Sequence, residues 1–212
     1  MGHAGAAAAA VRYLRSAGTP AGVEALPRPE LRCVGEDERA PLDPTEFRRV
    51  LGTFATGVTV ITATGTEPDL STPTGPATSA APAAPAGFAC QSFSSLSLDP
   101  PLIAFMVGRT STTWPHIARA GAFCVNVLGA DQGELCRGFA VSGADKFRDV
   151  VYDAAPISGA PRLAGTVAWI DCTIHAVHTG GDHLIVVGRV DALGTGHETD
   201  VAPLLFHRGR FV

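Results

Sequence analysis

The chain is expected to be mainly β: an antiparallel barrel with a few short helices at its rim. Runs of β-branched and aromatic residues recur along its length, helix-like stretches are few and short, and the connections between runs are mostly of the antiparallel kind.

The bulk properties agree with one globular domain. A length of 212 residues holds a domain of roughly 150 residues with extensions. Apolar residues make up 46% but aromatics only 7%, so small aliphatic side chains must fill the interior. A formal charge of −4 leaves no basic footprint for nucleic acid. No apolar run approaches the roughly 20 residues of a membrane span. The cysteines (Cys33, Cys90, Cys124, Cys136 and Cys172) are odd in number and contain no CxxC pair, which predicts buried free thiols and a reducing, cytoplasmic setting.

Residues 1–41 differ from the rest. An alanine tract leads into prolines, glycines and a charged cluster, with no basic n-region or long apolar core of a secretory signal. This segment reads as a weakly ordered arm, and 42–212 as the domain. Asp43-Pro44-Thr45-Glu46 has the capping-box pattern with proline at the first helical position, opening a short helix through Phe47, Val50 and Leu51. Gly57–Ala63 alternates β-branched aliphatics with threonine, as a half-buried strand does. Residues 64–86 are a low-complexity insertion, read as the extended loop of a long hairpin.

The stretch Gly87–Phe105 then organises the chain. Phe88, Cys90 and Phe93 begin a strand, Ser92–Leu98 alternates hydroxyls with apolar residues, and Asp99-Pro100-Pro101 stops the ladder before Leu102–Val107 starts another strand. Ser111-Thr112-Thr113-Trp114-Pro115 predicts a helix start and Gly121 its end; Phe123–Leu128 reads as a strand, Gln132–Gly138 as a short helix, and Asp145-Lys146-Phe147 as a turn. Thr166–Val177 alternates with Ala168, Ile170, Cys172 and Ile174 on one face, Gly180-Gly181-Asp182 turns the chain, and His183–Val190 returns.

On residues alone, the central stretch suits either a plain β-meander or a pair of strands whose hydroxyls and free backbone groups hold a flat ligand. His175 and His178 lie an odd number of steps apart on a strand, so they face opposite sides and do not read as a metal site. Neither a G-x-S-x-G elbow nor a G-x-G-x-x-G dinucleotide fingerprint is present.

The succession Gly87-Phe88, Ser92-Phe93 and Ser97-Leu98-Asp99-Pro100-Pro101-Leu102 resembles the signature of the flavin reductase-like family, and the likeness runs from about Phe47 to Val212. These are the small reductase components of two-component flavin monooxygenases. The resemblance implies an antiparallel, Greek-key-like split β-barrel that binds FMN or FAD, uses NADH or NADPH as co-substrate, and forms a homodimer. Residue by residue, it implies flavin contacts from Thr56, Gly57, Val58 and Thr59. It adds Gln91, Ser92, Phe93, Ser95 and Ser97 beside the isoalloxazine and ribityl groups, and Ser111 and Thr113 at the phosphate. A helix start there also offers free N–H groups to an anion. Lys146 sits in a matching segment, where it either adds charge near the phosphates or is an ordinary solvated lysine. Asp182 and His183 match the family's Gly-Asp-His turn, with His183 nearest the hydride transfer.

Two departures stand out. Ala89-Cys90-Gln91 replaces the frequent Thr-Ala-Asn, which changes the donors at the flavin edge, and the 64–86 insertion is longer than the family pattern. The implied activity is NAD(P)H-dependent reduction of flavin for a partner monooxygenase or halogenase. The alternatives are a non-catalytic flavin-binding protein and a split-barrel oxidase that retains its flavin.

Overall fold

The first element of the computed structural model, α1 (Pro44–Leu51), starts as its sequence dictates: the Asp43 carboxylate accepts from the amides of Thr45 at 3.0 Å and Glu46 at 3.4 Å. Glu46 does not reach back to complete a capping box but pairs with Arg49 one turn on, at 2.6 Å. The structure describes residues 42–65, 84–143, 145–196 and 201–212. The expected arm at 1–41 lies outside the described residues, as does most of the expected 64–86 loop. Asp43–Val212 forms one compact unit.

A three-stranded sheet joins β1 (Thr56–Gly57) to β11 (Leu205–His207) and β12 (Arg210–Phe211). The main sheet has seven strands: β2 (Thr59–Ala63), β3 (Ala86–Cys90), β4 (Ser94–Leu98), β5 (Pro101–Gly108), β6 (Ala122–Val127), β9 (Ala168–Gly180) and β10 (His183–Thr195). Their order is β3-β2-β6-β9-β10-β5-β4, every pair antiparallel. The edges β3 and β4 are consecutive in sequence, separated only by Gln91–Phe93, so the sheet curls until its ends meet. Ser92 makes that closure: its hydroxyl accepts from the Met106 amide at 2.9 Å and approaches the Met106 carbonyl at 3.0 Å. The barrel is split there, stitched by a side chain rather than a ladder.

Inside the barrel Ile61, Phe105, Phe123, Val125, Cys172 and Val186 pack with Trp114 and Ile117 of α2 (Trp114–Ala120). Phe105 meets Phe123 edge-on at 5.3 Å between ring centroids. A second core covers the other side of β2, where Val60 packs with Cys136 and Phe139 of α3 (Gly133–Ala140) and with Leu163. Packing on both faces makes every residue of β2 buried, where alternation alone predicts half-burial. The buried threonines are satisfied: Thr59 donates to the Cys90 carbonyl at 2.9 Å and Thr62 to the Pro161 carbonyl at 2.5 Å.

The hairpin β7 (Tyr152–Ala154) and β8 (Pro161–Leu163) has no counterpart in the pattern reading, because its apolar residues are few and its hold is tertiary. Asn126, fully buried, donates to the Val60 and Pro161 carbonyls at 3.2 and 3.3 Å and accepts from the Leu163 amide at 2.8 Å. The buried Asp171 carboxylate accepts from the Ile157 and Ser158 amides at 2.9 and 3.1 Å, fixing the connecting turn. Cys90, Cys124, Cys136 and Cys172 are free, buried thiols, as the spacing predicts. Among the described residues no helix is long and apolar enough to cross a membrane.

Candidate functional site

Of the expected site residues, Ser92, Ser111, Thr113, Asp182 and His183 lie near the C-terminal end of β5, whereas Ser95 and Ser97 pair with Ile103 and Leu102 at its start. Ser92 is bonded to Met106, and two residues further along the same strand Gly108 stands opposite His183. The chain then runs straight through Ser111–Thr113 into α2. On the far side, Thr59 pairs with Cys90 at the end of β3, next to Gln91.

Beside this strand end lies a cavity of about 440 Å³, lined by Gly87, Thr112, Thr113, His116, Asp145 and Lys146 among others. Of the residues expected at the phosphate, Thr113 lines it, whereas Ser111 turns its hydroxyl to the Trp114 amide at 3.2 Å and caps α2 instead. Thr113 makes no side-chain cap bond, so its hydroxyl is left for the cavity. Lys146 is not an ordinary solvated lysine. Its ammonium donates to the carbonyls of Gly87 and Phe139, both at 3.1 Å, and burial lowers its pKa below the usual lysine value. Thr112 and His116 are missed by the sequence reading, although both sit within three residues of Thr113; Thr112 carries the same hydroxyl and His116 adds an imidazole.

The other expected residues divide. Gln91 and Ser95 are exposed at the split, and β4 forms an exposed edge with backbone groups on its outer side open. Ser97 is half-buried there, and Phe93 packs against the barrel core. The Ser92 hydroxyl is committed to Met106, so what Ser92 offers a ligand is backbone. Val58 and Thr59 are buried, with Val58 in the second core; Gly57 is exposed, and the Thr56 hydroxyl is buried with no hydrogen-bond partner among the described residues.

Asp182 and His183 do not line the cavity. They sit at the tip of the β9–β10 hairpin, where Gly181 takes the left-handed conformation (φ 68°) that a two-residue turn requires. Asp182 Oδ1 lies 2.7 Å from His183 Nδ1, and that bond holds the Asp182 carboxyl below the usual carboxylate range. The imidazole is half-exposed.

The donor set fits a phosphorylated flavin. An ammonium, two threonine hydroxyls and an imidazole suit the anionic end, Asp145 being the one carboxylate among them. The open backbone edge of β4 suits the polar rim of a flat ring.

The fold is thus that of a split-barrel protein, with a donor-lined cavity beside the end of β5. The flavin reductase like domain matches residues 51–212, and the chain belongs to that family. It is 44% identical to the reductase subunit HsaB of a flavin-dependent monooxygenase from Rhodococcus jostii, covering 80% of this chain and 77% of that protein. It is 42% identical to a flavin reductase from Pseudomonas putida, covering 85% of this chain and 95% of that one. Among solved structures, the NADH:FAD oxidoreductase of Streptomyces globisporus in complex with NAD and FAD fragments superposes with a TM-score of 0.68 at 35% identity, covering 82% of this chain and 96% of that chain.

Proposed function

We propose that the protein is an NAD(P)H:flavin oxidoreductase that supplies reduced FMN or FAD to a partner monooxygenase or halogenase. The observation that carries the reading is a cavity beyond the end of β5, lined by Thr112, Thr113, His116 and Lys146, with the half-exposed His183 opposite Gly108 at that strand end, within a chain of the flavin reductase-like family.

A bound flavin supplies the chemistry by accepting at N5 the hydride that leaves nicotinamide C4. The chain's task is to bind and orient. Thr112, Thr113, His116 and Lys146 hold the phosphate end. The backbone of Gln91–Ser97, on an exposed edge, holds the rim of the ring. His183 stands next to the strand end, where an imidazole fixed on one side by Asp182 presents its other nitrogen to the second nucleotide. No side-chain nucleophile is needed, because proximity and charge stabilisation supply the rate.

Exposed apolar side chains suit partner contacts. Leu98 is 83% exposed on the β4 edge, with the exposed Leu96 two residues before it, and Phe47, Val50 and Leu51 leave α1 with an uncovered apolar face. We assign these to a homodimer, to be read by sedimentation as twice the chain mass. Free buried thiols and nucleotide substrates fit a cytoplasmic location.

The deciding experiment follows the nicotinamide absorbance band after purified protein is mixed with NADH and excess FMN or FAD. The reading requires multiple turnovers that depend on added flavin. Flavin binding without NADH consumption would make the protein a flavin carrier, and reduction confined to one tightly held flavin would make it an oxidase.

A further inference from the structure

Among the described residues, the cavity beside the end of β5 is lined by as much fixed negative charge as positive. The segment before α2 and its first turn bring Thr112, Thr113 and His116, and β3 brings only the backbone of Ala86 and Gly87. The turn after α3 adds one cation, Lys146, and one carboxylate, Asp145. Lys146 has three N–H groups and spends two on the carbonyls of Gly87 and Phe139, so one is left for a ligand. Asp145 is not neutralised in return. Arg148 stands 3.8 Å from it, but both side chains are largely exposed and water screens the pair.

The two flavin nucleotides differ in the charge they bring to such a wall. FMN ends in a phosphate monoester, whose second ionisation near about pH 6 leaves it close to doubly charged at about pH 8. In FAD each phosphate of the pyrophosphate link is esterified and carries one charge, with no second ionisation. The free N–H of Lys146 and the threonine hydroxyls answer one negative charge. A second one faces the Asp145 carboxylate across the same cavity.

We propose that Asp145 is a specificity-determining residue: its carboxylate penalises a doubly charged phosphate in this cavity relative to a singly charged one, and so biases the chain toward FAD and away from FMN. That the ligand is a flavin rests on the reductase reading above, while the direction of the bias rests on Asp145 alone.

The test measures dissociation constants for FMN and for FAD by calorimetry on the full chain freed of flavin. Each variant is compared with the wild type for the same flavin, so contacts made by the adenosine half cancel. At about pH 8, Asp145→Asn is expected to tighten FMN about tenfold and FAD about threefold, moving the ratio about threefold toward FMN. At about pH 5, where the monoester carries one charge, the same variant is expected to leave the wild-type ratio in place. A change of charge at His116 acts on both flavins and drops out of the ratio. Asp145→Ser, a second neutral variant, is expected to behave as Asn does, and Asp145→Glu, which keeps the charge, to keep the wild-type ratio. A ratio that neither neutral variant moves at about pH 8, or that they move equally at about pH 5, overturns the assignment, as does a Glu variant that behaves like Asn. NADH consumption is read separately. A shifted ratio without turnover removes the reductase reading and keeps the role of Asp145, and turnover with an unshifted ratio does the reverse.

Discussion

His183, Thr113 and Ser111 show how neighbouring polar residues of similar type take different tasks. Ser111 caps α2, so Ser111→Ala is expected to cost about 1 kcal/mol of stability with little effect on flavin, read as a lower melting temperature at unchanged flavin affinity. Thr113 has no such duty, and Thr113→Ala is expected to weaken flavin binding by about 1 kcal/mol with the melting temperature held. Equal effects of the two variants on affinity would move the phosphate away from this cavity. His183→Ala tests the hydride step. Stopped-flow reduction of the flavin-saturated variant is expected to slow by about one to three powers of ten, the loss of one transition-state contact, while flavin affinity stays. A histidine that only braces the hairpin would lower stability and leave the rate per bound flavin untouched.

At the scale of elements, closure of the barrel depends on contacts that cross between strands and loops. Lys146 joins the 145–147 turn to β3 and α3 through the carbonyls of Gly87 and Phe139. Lys146→Met leaves two half-buried carbonyls without donors, with an expected loss of about 1–3 kcal/mol in denaturant unfolding together with weaker flavin binding. Arginine is not expected to rescue it, since its fork does not reproduce a single ammonium between two oxygens. The strands themselves were legible. The Asp43 cap, the Pro100-Pro101 break, the Gly121 stop and the Gly181-Asp182 turn are local chemistry, and each stands where the pattern predicts. What pattern alone did not convey is tertiary. The β7–β8 hairpin is held by Asn126, far from it in sequence, and by Asp171 on the following strand β9. Likewise β2 is buried on both faces because α3 covers the second, and Lys146 is clamped rather than solvated. Within the candidate site the residue types and segments were readable, but which hydroxyls were already committed was not: Ser92 and Ser111 reveal their partners only when β5 and α2 are in place.

For the whole molecule, the buried thiols predict behaviour in alkali. Burial, reinforced by the nearby Asp171 carboxylate, pushes the Cys124 thiol from its ordinary 9.0 up to about 12. Between those values the unfolded chain ionises this thiol and the folded chain does not, so stability falls as pH rises from about 9 toward 12. Cys124→Ala is expected to flatten that decline in urea unfolding, and an unchanged slope would show that Cys124 is not its source. A chain beginning at Pro41 is expected to retain its melting temperature and flavin reduction, because residues 1–41 lack the periodic apolar side chains that offset ordering; aggregation of the shortened chain would move the domain boundary. The strand order carries a further consequence, for synthesis on the ribosome. β2 finds β6 only after Cys124 has emerged to face Thr62, and β5 waits for β10 until His183 can face Gly108. At roughly 5–20 residues per second, each wait lasts several seconds. Until the β9–β10 hairpin arrives, the nascent chain carries β5 and β6 with unpaired edges, a state open to chaperones and to pairing with neighbouring chains on the same message.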